Sequence, residues 1–449
     1  MRAVQAVGYD MDYTLVHYHV DEWEAEAFRE AKNLLTKAGW PTEHLAFDPQ
    51  RYTIGLVFDL QLGNIVKATR FGYVMRAEHG TRVLTFDQQR EAYRETAVEL
   101  SDPRFQFMNT LFELSRASLF GQLVAKHDTE PLAGVGSYAD LYWAVDSALN
   151  KAHLTGRLKS GIVADPERFI DRDPNVVPML LDQRRAGKRL LLITNSDWAY
   201  TKAIMAYTVT PFCPKGTTWR DLFDVVIVSA NKPRFFSETD PIYQVVDEEE
   251  SLLRPHQGLL EPGHVYFGGN ARLVEESLGI SGGQPLYVGD HLFGDVHVTK
   301  DVLRWRTALI VRELEAEIAS AIDFAADQDR LEELMEMKTE LEQRQAWLRL
   351  QRLSRSKDGR LSSELSRVTN RIFELDEQVA PLARASSEMG NALWGPLMRA
   401  GNDKSLFARQ VERYADVYTS RASNLRYATP FGYLRAARGS LPHDVRPSK

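Results

Sequence analysis

The chain has 449 residues, 44% of them hydrophobic and 26% charged, with a formal net charge of -7. That length allows two or three domains with separate cores, and the acidic balance gives no electrostatic footprint for nucleic acid. The one cysteine, Cys213, excludes an internal disulfide framework, and no apolar run approaches the roughly 20 residues of a membrane span. The N-terminus does not resemble a signal peptide, so the expectation is a cytoplasmic protein without a membrane or nucleic-acid partner.

In chain order, Val4 to Tyr9 alternates apolar residues and reads as a buried strand. It runs into Asp10-Met11-Asp12-Tyr13-Thr14-Leu15, where an isolated Asp-x-Asp would more often be a helix cap or a surface turn. Asp21 to Gly39 has the pattern of an amphipathic helix with Trp23, Ala27, Leu34 and Leu35 near its buried face. Leu56 to Leu60 and Ile65 to Ala68, separated by Gly63-Asn64, predict a β-hairpin that Tyr73 to Arg76 and Arg82 to Leu84 extend. From Phe105 to Leu123, and from Tyr138 to Lys151, the spacing predicts helices. His17 and His19 lie one residue apart without a third metal ligand, and a structural role is expected for them.

Three more strands follow, each ending in polar residues. Lys188 to Ile193 leads to Thr194-Asn195-Ser196-Asp197, Val225 to Ser229 to Asn231-Lys232-Pro233, and Pro285 to Val288 to Gly289-Asp290-His291-Leu292-Phe293-Gly294-Asp295. Fully apolar strands preceded by helical pattern imply an α/β fold with a doubly wound parallel sheet covered on both faces. In such sheets chemistry gathers at the carboxyl ends of the strands. Beyond Arg312, Glu313 to Arg352 and Glu364 to Val379 predict a helical hairpin, with Met337 and Leu350 among its apolar positions and a polar turn from Ser354 to Ser363. The tail carries Phe407, Tyr414, Tyr418, Tyr427, Phe431 and Tyr433 and is expected to pack on the body.

The four strand ends supply what phosphomonoester hydrolysis needs. A carboxylate can take the phosphoryl group as an aspartyl-phosphate, and a second acid can protonate the leaving alkoxide. Mg²⁺ favours one or two carboxylates plus phosphate oxygen and water, which matches Asp10 with Asp290 or Asp295. A hydroxyl and an ammonium, Thr194 and Lys232, would hold the remaining phosphoryl oxygens. Singly, Thr194-Asn195-Ser196 reads equally as a helix cap, Lys232 as a surface lysine, and the Gly-Asp segment as a calcium loop or turn. Their order at consecutive strand ends favours the shared site.

The motifs Tyr9 to Leu15, Gly55 to Asp59, Asn109 to Phe112, Thr194 to Asp197, Asn231 to Phe236, Gly289 to Asp295, Leu406 to Ala408 and Arg413 to Asp416 resemble one family. It is the cytosolic purine 5'-nucleotidase family of the haloacid dehalogenase superfamily, the type preferring inosine and guanosine monophosphates. The resemblance implies a Rossmann-like catalytic core from 1–20 and 174–312, an inserted cap for substrate recognition from 21–173, and a helical hairpin and tail from 313–449. It implies Asp10 as nucleophile and metal ligand, and Asp12 as general acid/base with its carbonyl on the metal. It further implies Thr194, Ser196 and Lys232 as phosphate holders, Asp290 as a Mg²⁺ ligand, and Asp295 as an orienter of the metal's waters. The family's habit suggests a homo-oligomer, dimer or tetramer, and a phosphotransferase side activity.

At the base-recognition positions this chain departs from the family. Phe112 keeps the stacking aromatic and His153 is retained, but the arginine and aspartate that read the purine edge fall at Asp146 and Asn150, and an asparagine becomes Glu113. A donor fork replaced by an acceptor-only carboxylate reverses the hydrogen bonds offered. At the family's effector site Asn109, Phe293, Gln410 and Tyr414 match, whereas Glu99 and Asp301 stand where basic residues are expected, which weighs against polyphosphate binding. The leading expectation is therefore a Mg²⁺-dependent 5'-nucleotidase acting on nucleoside monophosphates. The alternatives are a phosphatase for another phosphomonoester and a non-catalytic assembly protein.

Overall fold

The apolar runs read above lie at the centre of a nine-stranded sheet in the computed structural model, which describes residues 1–154, 156–354 and 359–434. The chain divides into two units. One contains 1–22, 159–312 and the segment from Val411 onward, and the other contains 23–158 and 313–410.

In the first unit the strand order is Leu252–Pro255, Ile242–Asp247, Val265–Gly268, Val225–Val228, Arg189–Ile193, Ala6–Tyr9, Pro285–Gly289, Arg306–Ile310 and Val417–Thr419. Pairing is parallel from Val265–Gly268 to the last strand and antiparallel at the opposite edge. Ala6–Tyr9 is central, with Ala6 opposite both Arg189 and Pro285. Its Asp10 amide continues the ladder by donating to the Val288 carbonyl at 2.9 Å. Four of these strands were legible as apolar runs. The other five were not; Val417–Thr419, for one, has only three residues, none of them buried. One buried cluster includes Leu191, Ile193, Ile227, Phe236, Tyr287 and Trp305. A Cβ at Gly8 would lie 2.9 Å from Cδ2 of Tyr287, so only glycine lets that ring lie across the central strand.

In the second unit a five-stranded antiparallel sheet runs in the order Arg82–Val83, Val74–His79, Asn64–Ala68, Val57–Asp59 and Phe105–Phe107. The predicted hairpin turns at Gly63, whose φ of 67° suits glycine. The helix predicted from Phe105 starts later. Phe105–Phe107 is a strand paired with Val57–Asp59, and the helix is Leu114–Thr129. Phe105 and Phe107 are buried on either side of the half-buried Gln106, a period-two pattern too short to register against the helical run after it.

The buried Lys67 of the middle strand donates to the carbonyls of Trp394 at 2.7 Å, Gly395 at 3.4 Å and Pro396 at 2.6 Å. The helical hairpin comprises Ala325–Ser354 and Gly359–Glu388, closed by Leu334, Leu375 and Val379. Met337 and Leu350 are exposed, and the predicted turn at 355–358 lies outside the described residues. Of the tail aromatics, Phe407 and Tyr414 are buried, whereas Tyr418, Tyr427, Phe431 and Tyr433 are exposed. Among the described residues no helix is long and apolar enough to cross a membrane.

His17 belongs to a two-residue strand paired with Ile170–Asp171, and neither ring nitrogen has a hydrogen-bond partner. Burial, aided by the Arg312 and Arg421 guanidiniums and opposed by Asp173 and Asp171, lowers its pKa to about 4. The folded value lies below the unfolded one, so this contribution to stability is present above about pH 6.5 and is lost as pH falls toward 4. Relative to His17→Leu, the wild type is expected to lose ~2–3 kcal/mol between pH 7 and pH 4.5 in urea melts. Parallel pH profiles for the two proteins would contradict a buried neutral His17.

Candidate active site

The ends of four neighbouring parallel strands bring Asp10, Thr194, Lys232, Asp290 and Asp295 together. Lys232 is buried, and its Nζ lies 2.7 Å from Asp10 Oδ2 and 2.9 Å from Asp295 Oδ1. It also donates to the Tyr287 hydroxyl at 3.0 Å, which in turn donates to the Ile193 carbonyl at 2.9 Å. Asn195 fastens the lysine's backbone in both directions: Oδ1 accepts from the Lys232 amide at 2.6 Å, and Nδ2 donates to its carbonyl at 3.0 Å. Motif reading singled out Thr194 and Ser196 and passed over Asn195. Its only signal was its place between them.

Asp10, Asp290 and Asp295 each offer a carboxylate oxygen within 4.8 Å of the others. Burial raises the pKa of Asp10 to about 7; Lys232 opposes the shift, and Asp295 and Asp12 add to it. Withdrawal from water, with Asp10 and Asp295 alongside, pushes Asp290 well above its usual range. For Lys232 burial works downward, but Asp10 and Asp295 outweigh it and raise the value well above normal. One ammonium cannot neutralise three crowded carboxylates. Their all-oxygen donor set suits a hard divalent cation such as Mg²⁺.

Asp295 is set by a wide turn over Leu292–His297, with the His291 amide donating to its Oδ2 at 3.1 Å. Thr194 is fully buried, and its hydroxyl accepts from the Ser196 amide at 3.0 Å. The helix Trp198–Thr208 that follows is capped by Asp197, which accepts from the Tyr200 amide at 2.9 Å. The cap is therefore the residue after Thr194-Asn195-Ser196, which leaves the Ser196 hydroxyl to donate to Asp12 Oδ2 at 2.7 Å.

In the other unit, Phe112 meets the Trp23 ring at 5.5 Å and the His153 ring at 6.0 Å, both edge-on. Asp146 accepts at Oδ1 from Arg116 at 2.7 Å and at Oδ2 from Asn150 at 2.9 Å. Arg116 also holds Glu113 at 2.5 Å, and Glu113 accepts from the Asn109 amide at 2.7 Å. Arg116, unremarked in the sequence, thus brings a guanidinium to the acids at 113 and 146. Its spacing of three from Glu113 on a helical run was the available signal. Of the effector-type positions, Phe293 and Tyr414 both pack on His297, which pairs with Asp301 at 3.0 Å; Asn109 and Gln410 are buried in the other unit.

Carboxylates, a hydroxyl and a buried ammonium at the mouth of a parallel sheet have the chemistry of a phosphoric monoester hydrolase. The chain matches the model of the 5' nucleotidase family over residues 1–446, and it belongs to that family. A 5'-nucleotidase domain-containing protein of Dictyostelium discoideum is 25% identical over 453 residues, covering 99% of this chain and 73% of the relative. Among solved structures, a β-phosphoglucomutase from Pyrococcus sp. strain ST 04 aligns with 10% identity and a TM-score of 0.31, covering 68% of this chain and 86% of that one. CbbY from Rhodobacter sphaeroides, in complex with phosphate, aligns with 14% identity and a TM-score of 0.27 at the same coverages.

A Cβ at Gly289 would lie 2.4 Å from Asp295 Oδ2 and 2.6 Å from its Cβ. Gly289→Ala is expected to displace Asp295, to destabilise the protein by ~1–3 kcal/mol in melts, and to lower phosphate release at least tenfold. Wild-type activity in that variant would show that the fit is not required.

Proposed function

We propose that this chain is a Mg²⁺-dependent 5'-nucleotidase that hydrolyses nucleoside 5'-monophosphates, purine ones foremost, and also passes the phosphoryl group to nucleoside acceptors. The observation that carries this reading is the buried Lys232 ammonium joined to Asp10 and Asp295, with Asp290 completing a compact carboxylate trio. In this reading residues 1–20 and 174–312 form the catalytic core, 21–173 the recognition insert and 313–449 a largely helical extension that adds the edge strand Val417–Thr419 to the core sheet. The enzyme works in the cytoplasm as a homo-oligomer, without nucleic-acid or membrane partners.

An Asp10 carboxylate oxygen attacks phosphorus, the bond from phosphorus to the ester oxygen breaks, and Asp12 gives its proton to the departing alkoxide. A water oxygen then attacks the phosphorus of the aspartyl-phosphate, Asp12 takes the water's proton, and the bond to Asp10 breaks. Thr194, Ser196 and Lys232 hold the phosphoryl oxygens. Asp10, Asp290, Asp295 and the Asp12 carbonyl are the groups that would hold Mg²⁺, which supplies charge neutralisation between carboxylate and phosphate. Phe112, with His153, Asp146 and Asn150, forms the base and ribose contacts.

A second reading, a phosphatase for another phosphomonoester, draws support from Arg116. By occupying Asp146 and Glu113 it leaves a different set of polar groups from that of a 6-oxopurine reader.

Phosphate release from a panel of nucleoside monophosphates and sugar phosphates, run with Mg²⁺, distinguishes the two. Purine nucleoside monophosphates are expected to lead. A clear preference for a sugar phosphate would establish the second reading. Asp10→Asn, or chelation of the metal, is expected to lower turnover by at least about 10³-fold while the protein stays folded. Full activity in that variant would overturn the assignment of the nucleophile.

A further inference from the structure

The side chain of Asp12 is held at both oxygens. Tyr18 donates to Oδ1 at 2.5 Å, and Ser196 donates to Oδ2 at 2.7 Å. Tyr18 also lies 3.0 Å from the hydroxyl of Tyr200. A phenol has one proton, and Asp12, once it has given its own proton away, is an ionised carboxylate that can only accept. With the Tyr18 proton committed to Asp12, the bond between the two tyrosines must be donated by Tyr200. The result is a directed chain from Tyr200 to Tyr18 to Asp12, in which each bond polarises the next.

Both phenol rings are buried, and Tyr18 packs edge-on against Tyr13 at 5.2 Å between ring centres. Lys159 meets both arms of this arrangement: its Nζ is 3.2 Å from Ser196 Oγ and 4.8 Å from the centre of the Tyr200 ring. Two buried tyrosines on separate elements therefore converge on one carboxyl group. No sequence motif announces them.

We propose that Tyr18, backed by Tyr200, is a positioning residue for Asp12: it fixes the carboxyl group's rotation so that proton transfer to the leaving alkoxide follows one geometry. This rests on the assignment of Asp12 as general acid made above. Thr194 is held by the Ser196 amide and Lys232 by Asp10, Asp295 and Tyr287, and of the phosphate holders Ser196 shares the Asp12 carboxyl, so loss of the Tyr18 hydroxyl acts first on the proton transfer. A carboxyl group free to turn holds its proton in the wrong place for most of its time, and small misplacements of a reacting group cost large factors in rate.

The test is a leaving-group series. An alkoxide needs the proton of Asp12 as its bond to phosphorus breaks, whereas p-nitrophenolate departs without it. The ratio kcat/KM covers the steps up to that departure. Wild type, Asp12→Asn, Tyr18→Phe and Tyr200→Phe are compared on p-nitrophenyl, phenyl and methyl phosphate with Mg²⁺. Tyr18→Phe is expected to lose about 10²-fold on methyl phosphate and less than about 3-fold on p-nitrophenyl phosphate, with KM changed little. Tyr200→Phe is expected to fall in the same direction by about 10-fold. An equal loss across the series, or no loss, overturns the proposal. If Asp12→Asn itself shows no leaving-group dependence, the general-acid role of Asp12 fails instead, which separates the two claims. Should Tyr18→Phe not fold, Tyr200→Phe removes the donor behind Tyr18 with its ring kept and carries the same comparison.

Discussion

The catalytic unit depends on one ammonium group in a place that water scarcely reaches. Asp10 and Asp295 are buried close together, and two such carboxylates repel unless something positive lies between them. Lys232 Nζ does this for both at once. Its own position is fixed by Tyr287 at the tip and by Asn195 at the backbone, which ties the strand ends at 193, 228 and 289 to one another. Breaking a buried pair by deleting one partner typically costs about 3–5 kcal/mol, so Lys232 stabilises the mouth of the sheet.

Much of this was legible beforehand because chemistry and fold use the same residues there. An apolar strand that ends in Asp10, Thr194, Lys232 or Asp290 carries two signals at once, burial and charge, and their repetition in order is what a parallel sheet produces. The positions that escaped notice carry only one. Tyr18, Tyr200 and Tyr287 look like ordinary core aromatics, and only the three-dimensional structure shows that a hydroxyl on each meets a polar partner. Phe105–Phe107 escaped for a different reason: a three-residue alternation is overwritten by the helical period that follows it.

The departures at Glu113 and Asp146 have a physical reading in the second unit. Two acids introduced near one another call for a cation, and Arg116 bridges them with one guanidinium. Considered one position at a time, Asp146 is an arginine lost. Considered as a cluster, the positive charge persists on a neighbouring helix, and the hydrogen bonds left over are set by geometry rather than by residue count. What these positions offer is thus written in contacts between them, which a single sequence does not display.

The placement of Ala6–Tyr9 at the centre of the sheet bears on how the protein is made. Its two neighbours are Arg189–Ile193 and Pro285–Gly289, so this strand is made well before either of its partners and waits for segments encoded far downstream. At ordinary rates of synthesis that interval is on the order of ten to forty seconds before the nearer partner exists. The edge strand Val417–Thr419 arrives later still. Formation of this sheet cannot proceed along the chain as it is synthesised. The first unit must close late and cooperatively around a strand made well before the segments that pair with it.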